Sequence, residues 1–254
     1  MSTFHFSVQA ISRAKGQSAV ASASYRSGEK LYSVLDNEYK SYGKRTVAPE
    51  SFILAPNNAP EWVYNRERLW NEVEWIEKNK NSRLAREVRV ALPIELNHAQ
   101  QRKMLEEFVQ ENFVKLGMVA DVSIHRDVEH NPHAHIMLTV RPFDENGEWV
   151  KQKSKKEYIR DEDGKVLKTR KIDLIGWDKK ELLLDWRKNF AEIINEYYRK
   201  NGIKEKVSHE SYEKQGLDKI PLHRLEREEY QIEKKRKLEA QKQGKEYVPS
   251  TTYA

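Results

Sequence analysis

Val119-Ala-Asp-Val-Ser-Ile-His125-Arg-Asp-Val128 and His133-Ala-His135-Ile-Met-Leu-Thr-Val140 are apolar-rich segments separated by the turn formers Glu129-His-Asn-Pro132. That pattern predicts an antiparallel β-hairpin. Three of the eight histidines fall at His125, His133 and His135, with His130 between them. Side chains two apart on a strand share a face, so His133 and His135 project together and the returning strand brings His125 beside them. Three neutral imidazoles leave the full charge on a divalent cation and keep coordination positions open for a phosphate oxygen or water. His130 lies in the turn and is the weakest ligand candidate, whereas Asp127 shares a face with His125 and stays among the candidates. A His-x-His dipeptide alone is more often merely solvated, and the third histidine at hairpin spacing shifts that balance. A structural zinc site is the competing reading, although no Cys or further His lies nearby to close a four-ligand shell.

The flanking sequence supplies the rest of the sheet and its cover. Phe4, Phe6 and Val8 alternate with polar neighbours, as a half-buried strand does. Gln17 to Tyr25 is dense in small residues and free of Gly and Pro, which predicts a short, closely packed helix with Tyr25 near its end and Gly28 against its continuation. Residues 32–42 predict a ribbon and Pro56 to Pro60 a loop, after which Pro60 or Glu61 opens a helix to about Lys80. Glu87 to Pro93 predicts a strand. Asn97 caps a helix running to about Leu116, with Gly117 as its stop, and Asp178 to Arg199 predicts a third, long helix. The order strand, helix, strand, helix, strand, strand, helix implies an α+β fold, a central antiparallel or mixed β-sheet with helices on one or both faces. Beyond residue 205 apolar residues thin out, and Leu222 to Gln243 reads as a charged helix. A domain over 1–203 is therefore expected, followed by a charged helical tail, or the start of a linker, over 204–254.

Lys plus Arg total 46 against 40 Asp plus Glu, a formal charge of +6 that favours a polyanionic partner. Mean hydropathy is −0.90 and no run of 18 apolar residues occurs, which argues against membrane insertion. The first residues lack the basic and apolar regions of a secretory signal, and zero cysteines exclude disulfides and Cys-ligated metal. These features fit a cytoplasmic protein. Residues 151–171 hold nine Lys or Arg against four acidic residues, with Asp161-Glu-Asp-Gly164 as the tip of a hairpin. Lys151, Lys153, Lys155, Lys156 and Arg170 are candidates to follow a phosphate backbone and Tyr158 to stack an unpaired base, while Arg26, Lys30, Lys44 and Arg45 flank Tyr25 and extend the same surface. Taken singly, most surface lysines contact only water.

A phenol is a weak nucleophile at its ordinary pKa of about 10 and attacks a phosphate only with help from a polarising cation and a base. The product would be a phosphotyrosine ester, which conserves the energy of the broken phosphodiester. Tyr25 taken alone, one of twelve tyrosines, reads as core or rim packing. Tyr32, seven residues on, is the second candidate.

Three motifs in order resemble the MobA/MobL (MobQ-type) plasmid relaxases of the HUH endonuclease superfamily. They are Phe4-His-Phe with Lys15-Gly-Gln-Ser-Ala19 and Ala23-Ser-Tyr25, then Arg86-Glu-Val-Arg-Val-Ala-Leu-Pro93, then His125 with Asn131-Pro-His-Ala-His135. The likeness covers most of residues 1–200. It implies an HUH relaxase-like sheet carrying the histidines with the tyrosine helix against it, Tyr25 as nucleophile, and Glu87 as an acidic partner that orients or charge-balances a histidine. It also implies single-stranded origin-of-transfer DNA as substrate, a 5′-phosphotyrosine and a free 3′-hydroxyl as products, and accessory relaxosome proteins and a coupling protein as partners. Rolling-circle initiators of the same superfamily place the tyrosine after the histidines, and here Tyr25 comes first. Phosphoryl chemistry and cellular supply favour Mn2+ or Mg2+ at the histidines, with Zn2+ or Ni2+ as alternatives suited to imidazole. The expected function is a metal-dependent relaxase that nicks and rejoins DNA. A metal-dependent phosphodiesterase using water and a nonenzymatic nucleic-acid-binding module are the alternatives.

Overall fold

The computed structural model describes residues 4–43, 46–128, 130–218 and 227–248. Its centre is the hairpin of the histidines, and the chain reaches it through β1 (Phe6–Ser12), α1 (Ala19–Ser27), the ribbon β2 (Leu31–Ser33) and β3 (Glu38–Lys40), and β4 (Glu50–Leu54). Then come α2 (Arg66–Ile76), β5 (Arg83–Ala91) and α3 (His98–Val109), followed by the hairpin strands β6 (Ala120–His125) and β7 (His133–Leu138). A second hairpin, β8 (Ser154–Arg160) and β9 (Val166–Asp173), precedes α4 (Lys180–Lys200) and α5 (Arg227–Lys242). Five strands make one sheet in the order β1-β5-β7-β6-β4, and all four pairings are antiparallel. The fold is α+β, with the antiparallel alternative realised.

Period-two alternation sorts the sheet's residues between two cores. Phe6, Val88, Val90, Val122, Ile124, Ala134 and Ile136 face α3 and α4, where Phe108, Trp186, Phe190 and Ile194 close a large aromatic core. Across the sheet, Ile11, Ala85 and Met137 face α1 and α2 and bury Ala19, Val20, Ala23, Leu69 and Trp70. The second core fills only part of its face. His135, then His133 with His125, lie on that same face in register steps beyond Met137, and Glu87 pairs with Met137 itself.

α1 is held at both ends. At its start Ser18 caps Ala21 N–H, and Glu74 of α2 accepts from Ser18 Oγ at 2.8 Å, Ala19 N–H at 2.6 Å and Val20 N–H at 3.3 Å. At its end Gly28, at φ 76°, turns left-handed while its N–H returns to the Ser24 carbonyl, and an added Cβ would meet Pro49 at 3.2 Å. Glu74→Ala would strand the two N–H groups, on residues with no solvent exposure. Chemical denaturation is expected to show a loss of about 1–3 kcal/mol. Glu74→Gln keeps an acceptor there and should recover most of it.

Several elements depart from the sequence expectation. The helix expected from Pro60 to Lys80 is broken: Glu61–Tyr64 form a 3-10 turn, and Asn65 caps α2 by accepting from Arg68 N–H. β5 begins at Arg83, four residues before Glu87, because β1 pairs along its full length. β4 was not anticipated. α3 has the expected Asn97 cap, completed by Gln100 as a capping box, but its last turns widen into a π-helix over Gln110–Val114.

The chain divides into two compact units, Met1–His209 and Glu210–Ala254. Residues 204–209 belong to the first, where Asn195 donates to the Val207 carbonyl at 2.8 Å and accepts from its N–H at 2.9 Å. The second unit contains α5, within which the charged run expected over 222–243 is helical from Arg227; residues 222–226 lie outside the described part. Among the described residues no helix is long and apolar enough to cross a membrane.

Candidate metal centre and tyrosine helix

The β6–β7 register pairs His125 with His133 and Ser123 with His135, so two adjacent strands present three imidazoles on one face. Ring centroids stand 4.8 to 5.2 Å apart, and one nitrogen from each ring lies within 4.8 Å of the others. Among the described residues this is the one His or carboxylate cluster with metal-site geometry. Each ring is oriented by an oxygen that can only accept. His125 Nε2 donates to the Arg26 carbonyl at 2.7 Å, His133 Nδ1 to the Asn131 carbonyl at 2.8 Å, and His135 Nδ1 to Glu87 Oε1 at 2.7 Å. A neutral imidazole that donates through one nitrogen carries its lone pair on the other. The donor set, three tautomers fixed by outer partners, therefore fits a divalent cation.

Glu87 is the hub. Its side chain is almost wholly buried and accepts from His135, from Arg26 Nε and from Gln9 Nε2, the last directly opposite it on β1. Burial alone would push its carboxyl up, but the bonds from His135 and Arg26, the Arg26 charge and the bond from Gln9 outweigh that and hold it well below the usual carboxylate range. Burial pushes His135 down, against the pull of Glu87, so this ring favours the neutral form a metal requires.

Tyr25 sits in the last turn of α1, half exposed, with its ring edge-on to Tyr42 at 5.4 Å. The next residue ties this turn to the histidines twice, since the Arg26 carbonyl receives His125 and the Arg26 guanidinium holds Glu87. Tyr32 lies on β2 beyond the Gly28 turn, where its hydroxyl donates to Asn37 at 2.5 Å. Asp127 and His130 follow the end of β6 and stay outside the three-imidazole group.

The proposed DNA-contact residues divide. Arg26 is committed inward to Glu87 and the Ser22 carbonyl. Lys30 lies over the Tyr39 ring at 4.3 Å. Lys44 and Arg45 lie outside the described residues. Lys153 is partly buried and donates to Glu77 at 2.7 Å beside Arg141, so it anchors the base of the β8–β9 hairpin; burial pushes its pKa down, against that bond. Lys151 is exposed, and Lys155, Lys156, Tyr158 and Arg170 stand out on the hairpin itself. There Lys156, Tyr158, Thr169 and Lys171 share one face.

Two supporting groups escaped the sequence reading. Gln9 is the third donor to Glu87, and the alternation of Phe6 and Val8 already placed it on the opposite, histidine-bearing face. Arg66 of α2 forms a bidentate pair with Asp121 of β6, which also accepts from Trp70 Nε1 at 2.8 Å. Arg66 also pairs with Glu29, one residue past Gly28, so α2 clamps the end of the tyrosine helix to the strand of His125. Nothing in a single Arg or Asp announces such a pair.

The family model described as the MobA/MobL family matches residues 17–235. The conjugal transfer protein TraA of Agrobacterium fabrum (strain C58 / ATCC 33970) is 34% identical over 238 residues, which cover 87% of this chain and 21% of that protein. The probable mobilization protein MobA of Bifidobacterium longum (strain NCC 2705) is 32% identical over 243 residues, 87% of this chain and 42% of that protein. The chain thus spans about a fifth of the first relative and less than half of the second. A solved structure described as the molecular basis of vancomycin resistance transfer in Staphylococcus aureus superposes with a TM-score of 0.71 at 33% identity, covering 83% of this chain and all of that one.

Proposed function

The chain belongs to the MobA/MobL family, and from that premise we propose that it is a relaxase in which Tyr25 opens single-stranded origin-of-transfer DNA by transesterification. One observation carries the reading: Arg26, next to Tyr25, bonds through its carbonyl to His125 and through its guanidinium to Glu87. The turn that carries the phenol is thereby tied to two of the three imidazoles, to His125 directly and to His135 through Glu87.

His125, His133 and His135 would hold a divalent cation, Mn2+ or Mg2+ in use. Bound there, the cation would polarise the scissile phosphate and offset charge that builds on its oxygens. Glu87 and the two backbone carbonyls keep each ring in the tautomer and orientation that binding needs. The Tyr25 oxygen attacks phosphorus, the bond from phosphorus to the 3′ oxygen breaks, and the strand is left as a 5′-phosphotyrosine and a 3′-hydroxyl. The phenol proton is lost to solvent and the departing oxygen takes one up. Rejoining reverses these bonds, which water attack would not permit. The exposed β8–β9 hairpin supplies cations and Tyr158 to hold the strand, and relaxosome proteins and a coupling protein would act on the loaded complex. The division into a relaxase domain and a charged helical tail is part of the same proposal.

The test is a labelled single-stranded origin oligonucleotide incubated with the protein and Mn2+, resolved on a denaturing gel. A covalent protein–DNA band is expected, and chelation should abolish it. Cleavage with no covalent band would replace this reading with a hydrolytic phosphodiesterase, and binding without cleavage in any divalent metal with a nonenzymatic module.

A further inference from the structure

A cavity of about 300 Å3 opens between the β1–β5 edge and the start of α4. It is lined by Arg83, Arg86, Trp177, Asp178, Lys180 and Trp186, and it adjoins a larger polar cavity at the foot of β8–β9 that shares Arg83, Arg86, Trp177 and Asp178. Arg86 is on the α4 face of the sheet, opposite the histidines, since it pairs with Leu138 and stacks on Trp186 at 5.4 Å. The Arg86 and Trp186 donors therefore lie on the face away from the metal centre, and Gln9 of the edge strand, which also lines the cavity, is the one lining residue that bonds to Glu87.

Its donors are incompletely matched. Arg86 is 7% exposed; Nη2 donates to Asp178, but Nη1 has no hydrogen-bond partner among the described residues. Trp186 is 2% exposed, and its Nε1 likewise has none. A buried N–H group left in this state has lost its hydrogen bonds to water without replacement, a penalty that is larger where the group is charged. α4 begins here, over 21 residues, with Lys179 giving no side-chain cap, so its positive end faces the same space. Arg83, Arg86, Lys179 and Lys180 line the cavity against the single carboxylate of Asp178, which Arg83 and Arg86 already share. Burial and the neighbouring Arg83 push the Arg86 guanidinium's pKa down, against Asp178 and Asp173.

We propose that this cavity is a second anion site, which seats a phosphate group through Arg86, Trp186 and the first turn of α4. A tetrahedral oxyanion offers several acceptors at once to a guanidinium, an indole N–H and helix N–H groups, and the helix end favours its charge. The phosphate is either the backbone of a bound strand, led in along the cations of the adjoining hairpin, or free phosphate. The site stands independently of Tyr25 chemistry.

The test uses the full chain stripped of metal with EDTA and then dialysed free of the chelator, so that no cation at the histidines draws phosphate there. Inorganic phosphate is titrated against chloride at equal ionic strength, followed by calorimetry and thermal shift. Wild type is expected to bind phosphate in the millimolar range or tighter, Arg86→Gln at least about tenfold more weakly, and Trp186→Phe, which leaves a smaller aromatic ring in the core and deletes the donor, about threefold more weakly. A second arm adds a single-stranded oligonucleotide. If the backbone occupies the cavity, the oligonucleotide displaces phosphate and Arg86→Gln flattens the salt dependence of DNA binding by about one unit. Phosphate binding that the oligonucleotide leaves untouched would identify free phosphate as the ligand. No phosphate binding to wild type, or binding that neither substitution weakens while both variants stay folded, would overturn the proposal. A missing covalent band in Mn2+ would not, since that result bears on Tyr25 alone.

Discussion

Tyr25→Phe is expected to bind single-stranded origin DNA as wild type does and to form covalent adduct at least about 1000-fold more slowly, because the atom proposed to attack is removed. The ring that packs edge-on to Tyr42 is retained, and the residue is half exposed on a helix secured by Glu74 and by the Gly28 turn. Stability should therefore move by no more than about 0.5 kcal/mol. Arg26 keeps both of its bonds, so the affinity of the histidines for Mn2+ should be unchanged. This combination separates a nucleophile from a packing residue, which would lose stability or DNA affinity along with rate. Tyr32→Phe is the matched control: its hydroxyl is bound to Asn37 on the ribbon, and its adduct yield should equal that of wild type. Cleavage that survives in Tyr25→Phe would hand the reaction to water.

Which parts of this site were legible in the sequence follows from the range over which each interaction acts. The histidine hairpin was readable because strand alternation and a short turn fix side-chain direction within about ten residues. Gly28 marked the end of α1 for an equally local reason, the positive φ that glycine adopts without steric cost. β4 was missed because its five residues lie between Pro49 and Pro56 and pair only with β6, seventy positions away; short edge strands carry little period of their own. The break at Asn65 was hidden by Trp62 and Val63, which continue the apolar spacing of α2 across a cap. The strand expected from Glu87 begins earlier, and Arg83 and Arg86 extend β5 under α4 and leave a charged group in the interior. Contacts such as Arg66 with Asp121, or Glu74 with the start of α1, join residues some 55 positions apart. Only folding brings them together.

Glu87→Gln is expected to weaken Mn2+ binding about 10- to 100-fold, measured by calorimetry on the metal-free protein. Three donors converge on Glu87: His135, Arg26 and Gln9. His135 and Arg26 both bond to Oε1 and Gln9 to Oε2, so an amide that keeps its oxygen toward the first two turns its NH2 to Gln9 and removes the negative charge: His135 loses a strong acceptor and Arg26 loses its ion pair. Breaking a buried ion pair costs about 3–5 kcal/mol, and here the lower end applies because Arg26 keeps the Ser22 carbonyl at 2.7 Å. The two losses act on different quantities. If Glu87 served only His135, saturating Mn2+ would restore the wild-type adduct rate. Because Arg26 also fixes the turn that carries Tyr25, we expect the rate at saturating metal to stay about tenfold low, a barrier increase of about 1.4 kcal/mol. Arg26→Met isolates the second effect, since it leaves the Glu87–His135 bond and the Arg26 carbonyl in place. It should bind Mn2+ within about threefold of wild type and still form adduct slowly. Full recovery of Glu87→Gln with metal, together with a normal rate in Arg26→Met, would show that the carboxylate supports the imidazole alone and that the tyrosine turn is positioned by other contacts.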